Sequence, residues 1–99
     1  MKNALEIAIY KTKDGVSDAD FIKTGVEMET NFAKKQKGFI KRTFAKSENG
    51  DWVDVIYWET MDAAMKASEA AMKSSVCAPM FGMLDDATVK MHHFEILSQ

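Results

Sequence analysis

From Ala4 to Thr12 the side chains alternate, with Leu5, Ile7 and Ile9 on one side and Glu6, Ala8 and Tyr10 on the other. A period of two is that of a β-strand, and this one has a strongly apolar side. Lys13-Asp14-Gly15 interrupts the pattern, and Ser17 followed by Asp20 has the spacing of a helix N-terminal cap. The period then lengthens: Phe21, Gly25, Met28 and Phe32 recur at i, i+4, i+7 and i+11, flanked by Ile22, Val26 and Ala33. This predicts an amphipathic helix from about Asp18 to Lys35, stopped by Gly38, with Gly25 allowing close approach to a neighbouring backbone.

Phe39 to Ser47 and Trp52 to Thr60 are rich in aromatic and β-branched residues, and Glu48-Asn49-Gly50-Asp51 between them signals a hairpin. A two-residue Asn49-Gly50 turn puts Arg42, Phe44, Val55 and Tyr57 on one face and Thr43, Asp54, Ile56 and Trp58 on the other. A bulged turn slips that pairing by one residue. Thr60 can cap a second helix, Met61 to Ser74, whose stripe is Met61, Ala64, Met65, Ser68, Ala71 and Met72. Pro79 confines the next stretch to a short helical segment around Met80 to Leu84. The last strand, Thr88 to Leu97, sets Val89, Met91, His93 and Glu95 against Lys90, His92, Phe94 and Ile96.

Strand, helix, strand, strand, helix, strand is the order of a ferredoxin-like α+β fold. Right-handed crossovers then give a four-stranded antiparallel sheet in the order 4-1-3-2, with both helices on one face. The other face carries Phe44, Val53, Val55, Tyr57, Phe94 and Ile96 and needs cover. The simplest cover is the same face of a second copy, so a homodimer is expected.

The chain has 99 residues. Domains cluster at roughly 100 to 150 residues, so residues 1–99 are read as one domain. Thirteen basic and fifteen acidic residues interleave to a net charge of -2, without the basic stripe of a nucleic-acid binder. The start, Met1-Lys2-Asn3-Ala4, leads into no signal-peptide core and no long apolar run, so a cytoplasmic location and no membrane association are expected. One cysteine, Cys77, excludes an internal disulfide and reads as a small buried hydrophobe. Eight methionines suit either an irregular core or an adaptable binding cavity. Isolated glycines form no phosphate-binding loop or dinucleotide fingerprint.

Asp54, Ile56 and Trp58 share one strand face, which sets a carboxylate and an indole on one wall. A carboxylate against apolar surface has a raised pKa and could act as a general base; paired, for instance with Arg42, it is structural. His93 has the inward parity of the last strand and a pKa suited to proton transfer, although a satisfied core histidine reads the same way. Adjacent His92 and His93 face opposite ways and cannot chelate one metal, so no metal site is expected. Tyr10 and Tyr57 could bond a ligand or line an interface.

Gly38-Phe39 at the start of the second strand, and Trp58-Glu59-Thr60 running into an alanine-rich helix, resemble the dimeric α+β barrel superfamily, in particular its antibiotic-biosynthesis-monooxygenase-type domain. The resemblance spans Leu5 to Leu97. It implies a cofactor-independent monooxygenase-like protein in which the substrate's own carbanion reduces oxygen. Family oxygenases carry an amide four residues before the strand-end Trp, where this chain has Asp54. The Asn, Trp and axial His of haem-degrading members are replaced by Ala, Met and Cys.

The expected function is binding of a small apolar or aromatic molecule between sheet and helices. Asp54 or His93 would remove a proton, and Trp58, Ile56, Met65, Met80 and Phe81 would hold the substrate under a Met80 to Leu84 lid. The alternative is a non-catalytic dimer whose cavity is filled by its own side chains or that carries a ligand.

Overall fold

A computed structural model describes residues 2–99. Strands β1 (Ala4–Tyr10), β2 (Phe39–Lys46), β3 (Trp52–Trp58) and β4 (Lys90–Glu95) form one antiparallel sheet in the order β2-β3-β1-β4. Helices α1 (Asp18–Asn31) and α2 (Met61–Met72) complete the two β-α-β halves, and a short helix α3 (Ala78–Gly82) precedes β4. Both main helices start on the caps read from the sequence. Ser17 Oγ accepts from the Asp20 amide at 3.1 Å, and Thr60 Oγ1 accepts from the Ala63 amide at 3.0 Å. The first helix ends sooner than its stripe implies: after Asn31 the chain tightens into a 3₁₀ turn over Ala33–Lys35.

The hairpin takes its bulged form. The Gly50 amide donates to the Ser47 carbonyl at 3.2 Å, the Ser47 amide donates to the Asp51 carbonyl at 2.7 Å, and Gly50 has φ 87°. That is a turn closed by a left-handed glycine, one residue longer than a two-residue turn. Phe44 therefore stands opposite Asp54, and Arg42 opposite Ile56. The two-residue register is corrected accordingly: Arg42 and Phe44 share the helix-facing side with Asp54, Ile56 and Trp58, whereas Val55 and Tyr57 face away.

Phe44 is thus removed from the open face. Its ring lies on Gly25 of α1, where an added Cβ would meet Phe44 Cε2 at 2.7 Å. The close approach that Gly25 permits is by this side chain and not by backbone. The helix-facing side of β1 is Ala4, Glu6, Ala8 and Tyr10, and its more apolar side, Leu5, Ile7 and Ile9, joins Val53, Val55, Tyr57 and Phe94 on the face without helices.

Two apolar clusters lie beneath the helices. Under α1, Phe21 meets Trp52 edge-on with ring centroids 4.8 Å apart and is joined by Tyr10, Met28, Cys77, Met80 and Leu84. Under α2, Trp58 packs with Ala4, Ile56, Ala64 and Ala67. The stripe of α2 is rotated from the expected one, since Met65 and Met72 are exposed while the alanines face the sheet. Small side chains let the helix sit close to the broad Trp58 indole. Among the described residues no helix is long and apolar enough to cross a membrane.

Candidate functional site

Between the two clusters lies a cavity of about 400 Å³. Its origin is in the sequence: Ala8 on β1 faces Ala67, Ser68 and Ala71 on α2, and short side chains on both walls leave space that Met28, Phe32 and Met80 line without filling. The volume falls in the range of small-molecule sites, roughly 300–1,000 Å³. The mouth is marked by cavity-lining residues that are also exposed, Met72, Asp86, Val89 and Met91.

Of the residues expected at the site, Asp54, Ile56, Trp58, Met80 and Phe81 line this cavity. Met65 does not. It sits on the outer side of α2 with 46% of its surface exposed, because the alanines occupy the inward positions of that helix. His93 does not line the cavity either, but it shares the helix-facing side of the sheet with Asp54 and reaches the cavity through Glu6: its Nε2 lies 3.1 Å from Glu6 Oε1. The Met80 to Leu84 segment, expected as a lid, is tied at its far end, where Leu84 bridges to Thr12 and the Lys13 amide donates to the Met83 carbonyl at 2.9 Å.

Asp54 is fully engaged. Arg42 Nε donates to Oδ1, and the Tyr10 hydroxyl donates to Oδ2 at 2.6 Å. Arg42 also donates to the Gly25 carbonyl at 2.7 Å and to Glu29 Oε1 at 3.2 Å, and its side chain is wholly buried beneath Phe44. Burial alone would pull the guanidinium pKa down, but Asp54 outweighs it and holds the group above its usual value. The Tyr10 phenol is held well above the ordinary range by burial and by the neighbouring Asp54 charge. This is the structural, paired arrangement of a buried carboxylate. Tyr57 lies on the open face, with Lys41 Nζ 4.8 Å from its ring centre.

The carboxylate missed from the sequence is Glu6. It is 7% exposed, lines the cavity, and has its pKa raised chiefly by burial, with His93 pulling in the other direction. The signal that could have found it was parity: Glu6 alternates with Ala8 and Tyr10, and it is this less apolar side of β1, not Leu5, Ile7 and Ile9, that faces the helices. Cys77 is buried on the cavity wall, and burial pushes its thiol pKa up, away from nucleophilic reactivity.

Neither the family models nor the curated proteins contain a match to this chain. Solved structures do. An antibiotic biosynthesis monooxygenase assignment from Bordetella bronchiseptica matches with a TM-score of 0.81 at 19% identity, covering 99% of this chain and 100% of that one. SnoaB, a cofactor-independent oxygenase from Streptomyces nogalater, matches at 0.75 and 14%, covering 100% and 97%. A Caulobacter crescentus protein of the same assignment matches at 0.76 and 13%, covering 98% and 92%. The chain has the antibiotic-biosynthesis-monooxygenase fold. That fold is the ferredoxin-like arrangement that the strand order anticipated. In this copy of the monooxygenase fold, the strand-end Trp58 faces the cavity and the residue four positions before it is tied to arginine.

Proposed function

We propose that this protein binds a small, flat, largely apolar molecule in the cavity between sheet and helices and acts on it as a cofactor-independent monooxygenase. The observation that carries this reading is the cavity itself: about 400 Å³, walled by Ala, Met, Phe, Ile and Trp, with few polar groups. The fold shared with SnoaB, described as a cofactor-independent oxygenase, supports the chemistry.

For a substrate with an activated methylene, the reaction balances without a further reductant. A base removes a C–H proton, the carbanion delivers electrons to dioxygen, one oxygen atom ends in a new carbonyl, and the other leaves as water. The chain would work as a homodimer through its open sheet face, where Leu5, Ile7, Val53, Val55 and Phe94 form an apolar surface. The pairing of Asp54 with Arg42 and Tyr10 favours a second reading, in which the same cavity carries a ligand without turning it over.

The test is titration with 1-naphthol, followed through quenching of tryptophan fluorescence, together with oxygen uptake in the presence of anthrone. Saturable quenching in the wild type that is lost in Ala71→Phe, whose ring would occupy the cavity, supports ligand binding. Oxygen uptake above the uncatalysed rate supports the enzyme, and binding without uptake supports the carrier. Equal quenching in the wild type and Ala71→Phe overturns both.

A further inference from the structure

The cavity's polar atoms do not behave alike. Those of Asp54 and Tyr10 bond to each other and to Arg42. Two others on the cavity wall, Trp58 Nε1 and Ser68 Oγ, are buried and have no hydrogen-bond partner among the described residues. A buried donor left unpaired costs about 1–3 kcal/mol, a cost that an acceptor on a bound molecule would relieve. Glu6 lines the same cavity. Ala4 pairs with Trp58 and Glu6 with Ile56, which makes Glu6 and Trp58 diagonal neighbours on the same sheet face. The indole is near enough to favour the ionised carboxylate, yet it does not complete a hydrogen bond. One Glu6 oxygen, Oε1, is held by His93 from the adjacent strand, and among the described residues Oε2 carries no hydrogen bond.

We propose that Glu6 is the cavity's proton acceptor, positioned by His93, and that the Trp58 indole and Ser68 hydroxyl donate to the oxygen it deprotonates, so that the ligand is a phenol. This rests on the reading of the cavity as a ligand site. In the step, the phenolic O–H bond breaks, its electron pair stays on the ligand oxygen, and the proton bonds to Glu6 Oε2. The two waiting donors then stabilise the phenolate, as preorganised donors stabilise any developing oxyanion. Burial supports the role, because a carboxylate with a raised pKa is a stronger base than a solvated one. The groups acting on Glu6 are His93 from β4 and Asp54 and Trp58 from β3, and Ser68 from α2 and Asp86 at the mouth line the same cavity. Asp54 raises the carboxylate pKa further and His93 lowers it. His93 acts only through Glu6 and is a positioning residue.

The probe is 4-nitrophenol, whose phenolate is coloured and whose phenol is not, with 4-nitroanisole as the ether that lacks the proton. In the wild type, bound 4-nitrophenol is expected to show its phenolate band about tenfold more strongly than free 4-nitrophenol at the same mildly acidic pH. Glu6→Gln should retain binding of both probes and lose the extra phenolate band. Ser68→Ala should lower the phenolate-to-phenol ratio by about tenfold without affecting 4-nitroanisole, which gives a reading even if Glu6→Gln fails to fold. His93→Gln should move the pH midpoint of the band while the band itself persists. An unchanged band in Glu6→Gln, or in Ser68→Ala should the first variant not fold, overturns the proposal and leaves the cavity reading standing. Failure of both probes to bind the wild type overturns the cavity reading itself.

Discussion

The Tyr10 hydroxyl donates a 2.6 Å hydrogen bond to Asp54 Oδ2 across the β1–β3 pair, and Arg42 takes the other oxygen from β2. The sheet thereby carries a buried acid, cation and phenol on three successive strands. Such a cluster is tightly held but contributes little net stability over an apolar equivalent, whereas breaking it exposes the cost of burying what remains. Asp54→Ala leaves the buried Arg42 guanidinium with Glu29 and the Gly25 carbonyl as its partners among the described residues, and is expected to cost about 3–5 kcal/mol in urea unfolding. Tyr10→Phe, which removes one donor to a charged group, should cost roughly 1.5–3 kcal/mol. Replacing both members of the pair, Asp54→Leu with Arg42→Met, should recover much of the loss. If Asp54→Ala unfolds at the wild-type urea concentration, the pair is not holding the sheet.

Gly25 and Phe44 test the packing of α1 on β2. Alanine favours a helix interior over glycine by about 1 kcal/mol. Here its methyl would have to displace the Phe44 ring, which also stacks on Trp52 at a centroid distance of 5.4 Å and covers Arg42. Overpacking of this kind costs about 1–3 kcal/mol. Gly25→Ala is therefore expected to be net destabilising in the wild type and stabilising by about 1 kcal/mol in a Phe44→Leu background. That reversal of sign, read from a thermal or urea double-mutant cycle, is the decisive outcome, and additivity would count against it.

The contrast between these residues explains what could be read from the chain. Periodicity gave the element order, both helix caps and the strand order, because each depends on local spacing and on handedness that few topologies satisfy. Which side of β2 meets which side of β3 depended on one residue in the turn. Gly50 adopts φ 87° inside a longer loop, and the same Asn49-Gly50 pair is compatible with the shorter one. That single slip moved Arg42 and Phe44 to the helix side and, of the two readings of Asp54, selected the one in which it is paired with Arg42; Glu6 was hidden because the more apolar side of β1 faces away from the helices. Met65 was misplaced for another reason. Hydrophobicity favours methionine over alanine on a buried stripe, but the bulk of Trp58 selects the smaller residue.

Glu6 gives a pH dependence of definite sign. Its carboxyl has a folded-state pKa above the unfolded value of about 4.3. Between the two, the folded state binds more protons than the unfolded one, so the stability associated with Glu6 is full below the unfolded pKa and falls as pH rises through the folded pKa. Glutamine cannot ionise. The stability of Glu6→Gln relative to the wild type should therefore increase from pH 4 towards neutrality, measured by urea unfolding across that window. A difference that stays flat with pH would mean that the carboxylate is as well solvated in the folded protein as in the unfolded chain.

The open sheet face yields the last prediction. Ile7 and Val55 are register partners at its centre, and Phe94, opposite Leu5, remains 48% exposed. A chain of this size hides only about 60–65% of its unfolded surface, so leaving a whole apolar sheet face wet is costly, and pairing with a second copy offsets that cost. Wild-type protein is expected to sediment as a dimer at micromolar concentration. Val55→Asp puts an unpaired carboxylate at the centre of the contact and should shift the equilibrium to monomer by at least a hundredfold in dissociation constant, about 2.7 kcal/mol. Its far-ultraviolet circular dichroism should remain native, since Val55 faces away from both helices. Lys41→Glu, at the edge strand, serves as the charge control and should leave the dimer largely intact, because rim charges contribute little to affinity. A wild-type chain that sediments as a monomer, or a Val55→Asp chain that dimerises as tightly as the wild type, would show that this face is not where two copies meet.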